Sequence, residues 1–257
     1  MADNPPPVPP SAQQFDADLG PCLVLRVQPV READLIVSLL NAQRGRVDAV
    51  ARGARSSRKR FGGTLQPFCK ISMQLGRSRG SLPVLAEAAV IKAWLGQDVD
   101  YPRLSLASYA AELALVSTQP GHADPGLMAW LERSWDLCEH LQPGQLRSLK
   151  LTMDVGLLRV HGGLPDFTKC ARCGLAPVDA SWPDWHAGPV CGRCERPSGS
   201  RLEPELLTAL QQADFTSIAG HRLRLIEERT GQLLSHAVMA TLNSARLLQS
   251  LIAFDGI

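Results

Sequence analysis

No apolar run in this 257-residue chain approaches the ~20 residues needed to cross a bilayer, which excludes a membrane-spanning helix. The start, MADNPPPVPPSAQQ, has no apolar centre like that of a secretion signal, so a cytoplasmic protein without a membrane partner is expected. Several catalytic signatures are also missing. There is no GxxxxGK[ST] to cradle a nucleotide phosphate, no GxGxxG after a strand, no HExxH and no GxSxG, and none of the six histidines lies in a recognisable catalytic context. Nothing argues for an enzyme. The net charge of +2 shows no surplus of either sign, and seven cysteines, an odd count, do not suggest a disulfide framework.

What is present is unevenly distributed. Up to Gly80 the chain holds 12 Lys+Arg against 6 Asp+Glu, and beyond it 15 against 19, so a basic first part is cancelled by an acidic remainder. From Ala51 to Gly80 there is no acidic residue at all. That stretch contains Arg52, Arg55, Arg58, Lys59, Arg60, Lys70, Arg77 and Arg79, with Arg44 and Arg46 just upstream. Guanidinium groups form paired hydrogen bonds with phosphate, so an arginine-dominated cluster suits a polyanion. The competing explanation is a solvated basic loop without a ligand.

At 45% hydrophobic and 20% charged residues the chain is an ordinary globular protein. Residues 1–20 read as a disordered, proline-rich tail. Short β-rich runs follow: CLVLRVQ from Cys22, LIVSLL at Leu35 to Leu40, RVDAVA at Arg46 to Ala51, and a run beginning after Ser81. Between the last two, Cys69, Ile71, Met73 and Leu75 alternate with Lys70, Ser72 and Gln74, the pattern of a half-buried strand. Five short strands fit a small antiparallel barrel, either an OB-fold or an SH3-like barrel. After Tyr101-Pro102 the period becomes helical. Leu106, Tyr109, Leu113 and Val116 mark one helix, a second runs around Leu127 to Leu141, and Leu146, Leu149, Met153, Leu157 and Val160 mark a third. A fourth is expected over Glu203 to Ala213. A long final segment from about Leu223 carries the stripe Leu234, Val238, Leu242, Ala245, Leu248 and Ile252. Such stripes are core packing. The domains expected are 21–97 for the barrel and 98–257 for the helical body.

Four cysteines form Cys170-Ala-Arg-Cys173 and, seventeen residues on, Cys191-Gly-Arg-Cys194. Two CxxC pairs at this spacing suit a tetrahedral four-thiolate zinc site, within a module at 166–197. Metal would explain how so turn-rich a segment folds, because structural zinc supplies on the order of 10 kcal/mol in small modules. A thioredoxin-like redox pair needs one CxxC at a helix start after a strand, which this segment does not offer. A zinc deaminase needs His-x-Glu ahead of Pro-Cys-x-x-Cys; here His186 is followed by Ala-Gly188, and Val190 precedes Cys191. One structural Zn2+ per chain is therefore expected. Cys22, Cys69 and Cys138 are expected as buried small side chains.

These residues resemble the bacterial RecO family of recombination and repair mediators. The resemblance runs through Glu32-Ala-Asp34-Leu-Ile-Val37, Gly45-Arg46, Ala51-Arg-Gly-Ala-Arg55, Arg60-Phe-Gly-Gly63, Leu65-Gln-Pro-Phe68 and Ala86-Glu87. It resumes over Leu157 to Pro165, at Cys170-Ala-Arg-Cys173-Gly174 and at Ala245-Arg-Leu-Leu248. It implies an N-terminal OB-fold β-barrel followed by an α-helical domain with a four-cysteine zinc-finger insertion, an α+β multidomain fold. It also implies a protein that binds single- and double-stranded DNA, anneals complementary strands and, with RecR, loads the RecA recombinase on DNA coated by single-strand binding protein. The tail of that protein is an implied partner, with RecF and RecA engaged indirectly. One departure stands out. Family members often carry an aromatic just before the Glu-x-Asp stretch, where this chain has Val30-Arg31, and the barrel region offers only Phe61, Phe68 and Trp94. With few stacking platforms, binding is expected to rest on phosphate contacts. An alternative of another class is a zinc-ribbon scaffold that acts through protein assembly, with incidental DNA or RNA binding.

Overall fold

The computed structural model describes residues 19–57, 59–76, 78, 80–96, 98–195, 201–237 and 243–254. Five strands, β1 (Cys22–Pro29), β2 (Leu35–Asn41), β3 (Gly45–Ala51), β4 (Cys69–Gly76) and β5 (Val84–Ala93), close into a barrel of order β1-β2-β3-β5-β4. All pairings are antiparallel except a short parallel contact at Val50 and Val84. This is the OB-like barrel expected from five short β-rich runs. In β4 the alternation holds: Cys69, Ile71, Met73 and Leu75 are buried, and Ser72 and Gln74 face solvent. The continuous apolar run CLVL at the start of β1 has a different cause. Cys22 and Val24 point into the barrel with Val37, Leu39 and Leu85, while Leu23 and Leu25 pack outward against the helical body. Both faces of the strand are covered, so neither can be polar.

The helical body comprises α1 (Tyr101–Ser117), α2 (Pro125–Glu139), α3 (Leu146–Val160), α4 (Pro204–Gln212), α5 (Arg224–Ala237) and α6 (Asn243–Phe254), with a short 3-10 turn at Gly220–Arg222. Local chemistry sets the helix starts. Asp100 accepts the Arg103 N–H and Asp124 accepts the Leu127 N–H, each with a proline in the first turn, where its missing N–H costs nothing. Leu106, Tyr109 and Leu113 are buried as expected. Val116 and Val160 are not. Both fall in the last turn of their helices and are more than a third exposed.

The segment expected to be helical from about Leu223 is helical over α5 and α6, and residues 238–242 lie outside the described residues. Here α5 packs on α3, and α6 packs on α1. Leu248 is buried among α1 and α2 residues, Leu234 is half-buried between the two helical cores, and Val238 and Leu242 lie outside the described residues.

The barrel and body meet in one shared apolar cluster, apart from the barrel's own interior. Trp135 of α2 is fully buried, meeting Phe68 edge-on at 5.7 Å and Trp94 at 5.1 Å. Polar contacts frame this contact: Lys70 Nζ lies 2.7 Å from Glu132 Oε1, while Asp136 receives Lys92 Nζ at 2.5 Å and the Trp94 indole N–H at 2.7 Å. At another edge, the β2–β3 turn meets the α1–α2 loop, where Gly121 N–H donates to the Arg44 carbonyl and Arg46 N–H to that of Gln119. Gly45 sits in this approach at φ +62; a Cβ there would lie 2.2 Å from the His122 carbonyl oxygen. Only glycine fits.

Candidate nucleic-acid interface and metal centre

The basic residues fall into separate groups. Arg52, Arg55, Lys59 and Arg60 are exposed on the β3–β4 loop. None of the four forms an ion pair among the described residues, which leaves their charge uncompensated. Arg44 and Arg46 stand at the opposite end of β3, roughly 20 Å away at the rise of a seven-residue strand. Arg46 Nε also lies 3.1 Å from Asp48 Oδ2. Lys70 is half-buried and paired with Glu132, on the seam between barrel and body. Arg58, Arg77 and Arg79 lie outside the described residues.

The β3–β4 loop is a built element. Phe61 and Leu65 anchor it in the barrel core. The β1–β2 turn holds its first half: Gly53 N–H donates to Asp34 Oδ1 at 2.8 Å, Arg55 N–H to the Ala33 carbonyl at 3.1 Å, and Arg55 Nη1 to the Glu32 carbonyl at 3.0 Å. Its second half is fixed by Arg60, whose Nη2 donates to the Arg52 carbonyl at 2.7 Å and whose own carbonyl accepts the Ala88 N–H of β5. The Glu32-Ala-Asp34 and Ala51 to Phe68 stretches are thus two sides of one structure. Of the three barrel aromatics, Phe61 and Trp94 are buried and Phe68 is half-buried against Trp135, so none presents an open ring face.

The four cysteines converge. Their Sγ atoms all lie within 4.8 Å of one another. A tetrahedral site with metal–sulfur bonds near 2.3 Å has sulfur–sulfur edges of about 3.8 Å, and Cys173 and Cys191 stand 3.7 Å apart. That separation is far beyond the ~2.05 Å of a disulfide. Backbone N–H groups of Arg172 and Cys191 point at the Cys170 sulfur at 3.4 and 3.3 Å. Burial opposes ionisation of the Cys170 thiol, but these N–H groups, with the Cys173 N–H and thiol, outweigh it and bring it down to about 6. Hydrogen bonding to Cys173 and Cys191 pushes Cys194 up to about 12. The donor set fits a four-coordinate metal, and occupation by sulfur at all four corners leaves no position for a reacting water.

A three-stranded sheet, β7-β6-β8 (Val190–Cys191, Ala180–Ser181, Arg201–Leu202), supports the knuckles, and its two-residue strands were too short to be read from the sequence. The module borrows the body's core: Trp182 is fully buried and meets Phe167 edge-on at 4.8 Å, among Leu151, Val155 and Leu206. Cys22, Cys69 and Cys138 are buried as expected, and burial lifts the Cys138 thiol far above its usual range.

The fold and the site together define a class: an OB-like barrel with an uncompensated basic loop, fused to a helical body that carries a four-cysteine metal module. Residues 20–94 match the family described as Recombination protein O N terminal, and residues 99–240 match Recombination protein O C terminal. The chain belongs to the RecO family. It is 39% identical over 180 residues to the DNA repair protein RecO of Anaeromyxobacter dehalogenans strain 2CP-C, covering 67% of this chain and 68% of that one. It is 33% identical over 233 residues to the Streptomyces coelicolor protein of the same name, covering 81% and 88%, and 33% over 240 residues to that of Thermobifida fusca, covering 88% and 95%. Glu132, Asp136, Asp34 and Glu32 are the residues the sequence did not single out for a role. Their signal lies in what they hold, a lysine of β4, a lysine of β5, the Gly53 N–H and, through the Glu32 main-chain carbonyl, the Arg55 guanidinium, which only the fold brings near.

Proposed function

We propose that this chain is a non-enzymatic DNA repair and recombination mediator that binds single- and double-stranded DNA and anneals complementary strands. The observation that carries the reading is the β3–β4 loop, where Arg52, Arg55, Lys59 and Arg60 are exposed, held on an ordered backbone and unpaired with any carboxylate among the described residues. Cations on such a loop lower the repulsion between two phosphate backbones brought close enough for bases to pair, without selecting a sequence. Arg44 and Arg46 extend the track along β3, and Arg58, Arg77 and Arg79 belong to it by sequence. Lys70, engaged by Glu132, positions the barrel on the body. Family membership supports RecR and the single-strand binding protein as partners, with RecF and RecA engaged indirectly. The four-cysteine centre holds one Zn2+ in a structural role, and the boundaries 21–97 and 98–257 separate the DNA-binding and helical domains.

The test is annealing of two complementary oligonucleotides by the native chain and by a variant carrying Arg52→Glu, Arg55→Glu and Arg60→Glu, with and without single-strand binding protein. Acceleration by the native chain and its loss in the variant support the reading; equal rates for both overturn it.

A further inference from the structure

We infer that the β3–β4 loop encloses a discrete pocket for one nucleotide unit of a single strand, with a phosphate at Arg55 and a base edge at Gln66. The inference deepens the DNA-binding reading above and rests on it. The loop surrounds a cleft of about 440 Å³, within the range of roughly 300–1,000 Å³ typical of small-molecule sites. Leu35, Phe61 and Leu65 lie beneath it, and Arg55, Ser57 and Gln66 line it with polar groups. Arg55 is prepared for a phosphate: one guanidinium nitrogen is fixed on the Glu32 carbonyl at 3.0 Å, and donors remain for an anion. The lining also contains Gly62 and Gly63, at φ +37 and +81. A Cβ on Gly63 would meet nothing within 4 Å, so at this point the wall is bare backbone that a sugar–phosphate chain can approach closely. Gln66 is exposed and offers both a donor and an acceptor, as a base edge requires.

A neighbouring cleft bordered by Lys59 and Arg60 provides the contrast. It contains Glu87, whose carboxylate opposes a phosphate, whereas among the described residues no acidic one lines the Arg55 cleft. Charge alone would favour the first cleft at least equally, since it has two cations. The combination of a cation, an amide and no acid among the described residues occurs at the second. A duplex cannot insert a base there without unpairing it, so the pocket distinguishes a single strand from a double one.

The test uses the full chain with Arg55→Lys and Gln66→Ala, singly and together; both preserve net charge, and thermal melting verifies the fold. The probes are a fluorescent oligothymidylate and a blunt duplex, with thymidine monophosphate and inorganic phosphate as competitors. The expected result is an approximately tenfold loss of single-strand affinity in the double variant, a larger loss than that of duplex affinity, with the salt dependence unchanged because the net charge is preserved. Thymidine monophosphate should also displace the oligonucleotide at concentrations where inorganic phosphate does not. Unchanged single-strand affinity in the double variant, or equal displacement by both competitors, overturns the pocket and leaves the DNA-binding reading standing. Failure of the native chain to bind either oligonucleotide overturns both.

Discussion

The Asp34 carboxylate accepts the backbone N–H of Gly53 at 2.8 Å, and through this bond the β1–β2 turn fixes the start of the basic loop. Gly53 has φ +64, so the chain reverses here in a conformation that other residues rarely adopt. Replacing Asp34 by alanine leaves this N–H without its partner, a cost of about 1–3 kcal/mol where water cannot substitute. Asp34→Ala is therefore expected to speed proteolytic cleavage within residues 52–66 and to weaken oligonucleotide binding several-fold. Asp34→Asn retains an acceptor oxygen and should restore most of both.

Gly45 makes a prediction about the body of the molecule. Its φ is +62, and a side chain would place Cβ 2.2 Å from the His122 carbonyl oxygen and 2.6 Å from that of Gln119. Both obstacles are backbone, so neither can rotate away. Gly45→Ala should cost at least about 2 kcal/mol, from backbone strain and separation of the β2–β3 turn from the α1–α2 loop. Thermal unfolding reads this directly, and Gly121→Ala, whose Cβ meets nothing within 4 Å although φ is +80, should cost less.

Asp136 predicts how the junction of barrel and body responds to acid. Burial opposes its charge, but hydrogen bonds from Lys92 and Trp94 outweigh it and hold the carboxyl below its usual range. A depressed pKa gives stability that is full above the unfolded value of about 3.9 and is lost as pH falls through the lower folded value. Stability measured by denaturant unfolding should thus decline below about pH 4, and Asp136→Asn should flatten that decline. Stability at neutral pH should fall only modestly, because the Lys92 pair is half exposed to solvent.

The metal centre predicts stoichiometry. One zinc should remain with each chain through purification without chelators, and Cys170→Ser with Cys191→Ser should abolish it. Because Trp182 and Phe167 tie the module to α3 and α4, metal loss should expose tryptophan near the module while leaving the barrel folded. Fluorescence and proteolysis with and without a chelator measure the two effects separately.

The parts legible in the sequence were those governed by local rules. Alternation in Cys69 to Leu75 identified β4 and its buried face, helical spacing placed α1 to α4, and paired CxxC motifs identified a cluster that closes to within 4.8 Å. What escaped depends on contacts distant in sequence. Leu223 onward reads as a helical segment because its apolar period continues, but the period does not reveal that α5 packs on α3 and α6 on α1. Lys70 reads as a wet lysine because nothing within its own strand reveals Glu132, sixty-two positions on, waiting at 2.7 Å. The aromatics show the same limit: composition gives their number, but only packing shows that Phe61 and Trp94 are unavailable for stacking.

The central claim is that an uncompensated loop of cations binds the phosphate backbone. It is tested most directly by the salt dependence of single-strand affinity for the native chain and for the combination Arg52→Gln, Arg55→Gln and Arg60→Gln. With about four phosphate contacts, log affinity against log salt should fall with a slope of about −3, and removing three cations should flatten it by about 2. A native slope near zero, or a slope unchanged in the triple variant, would contradict the account.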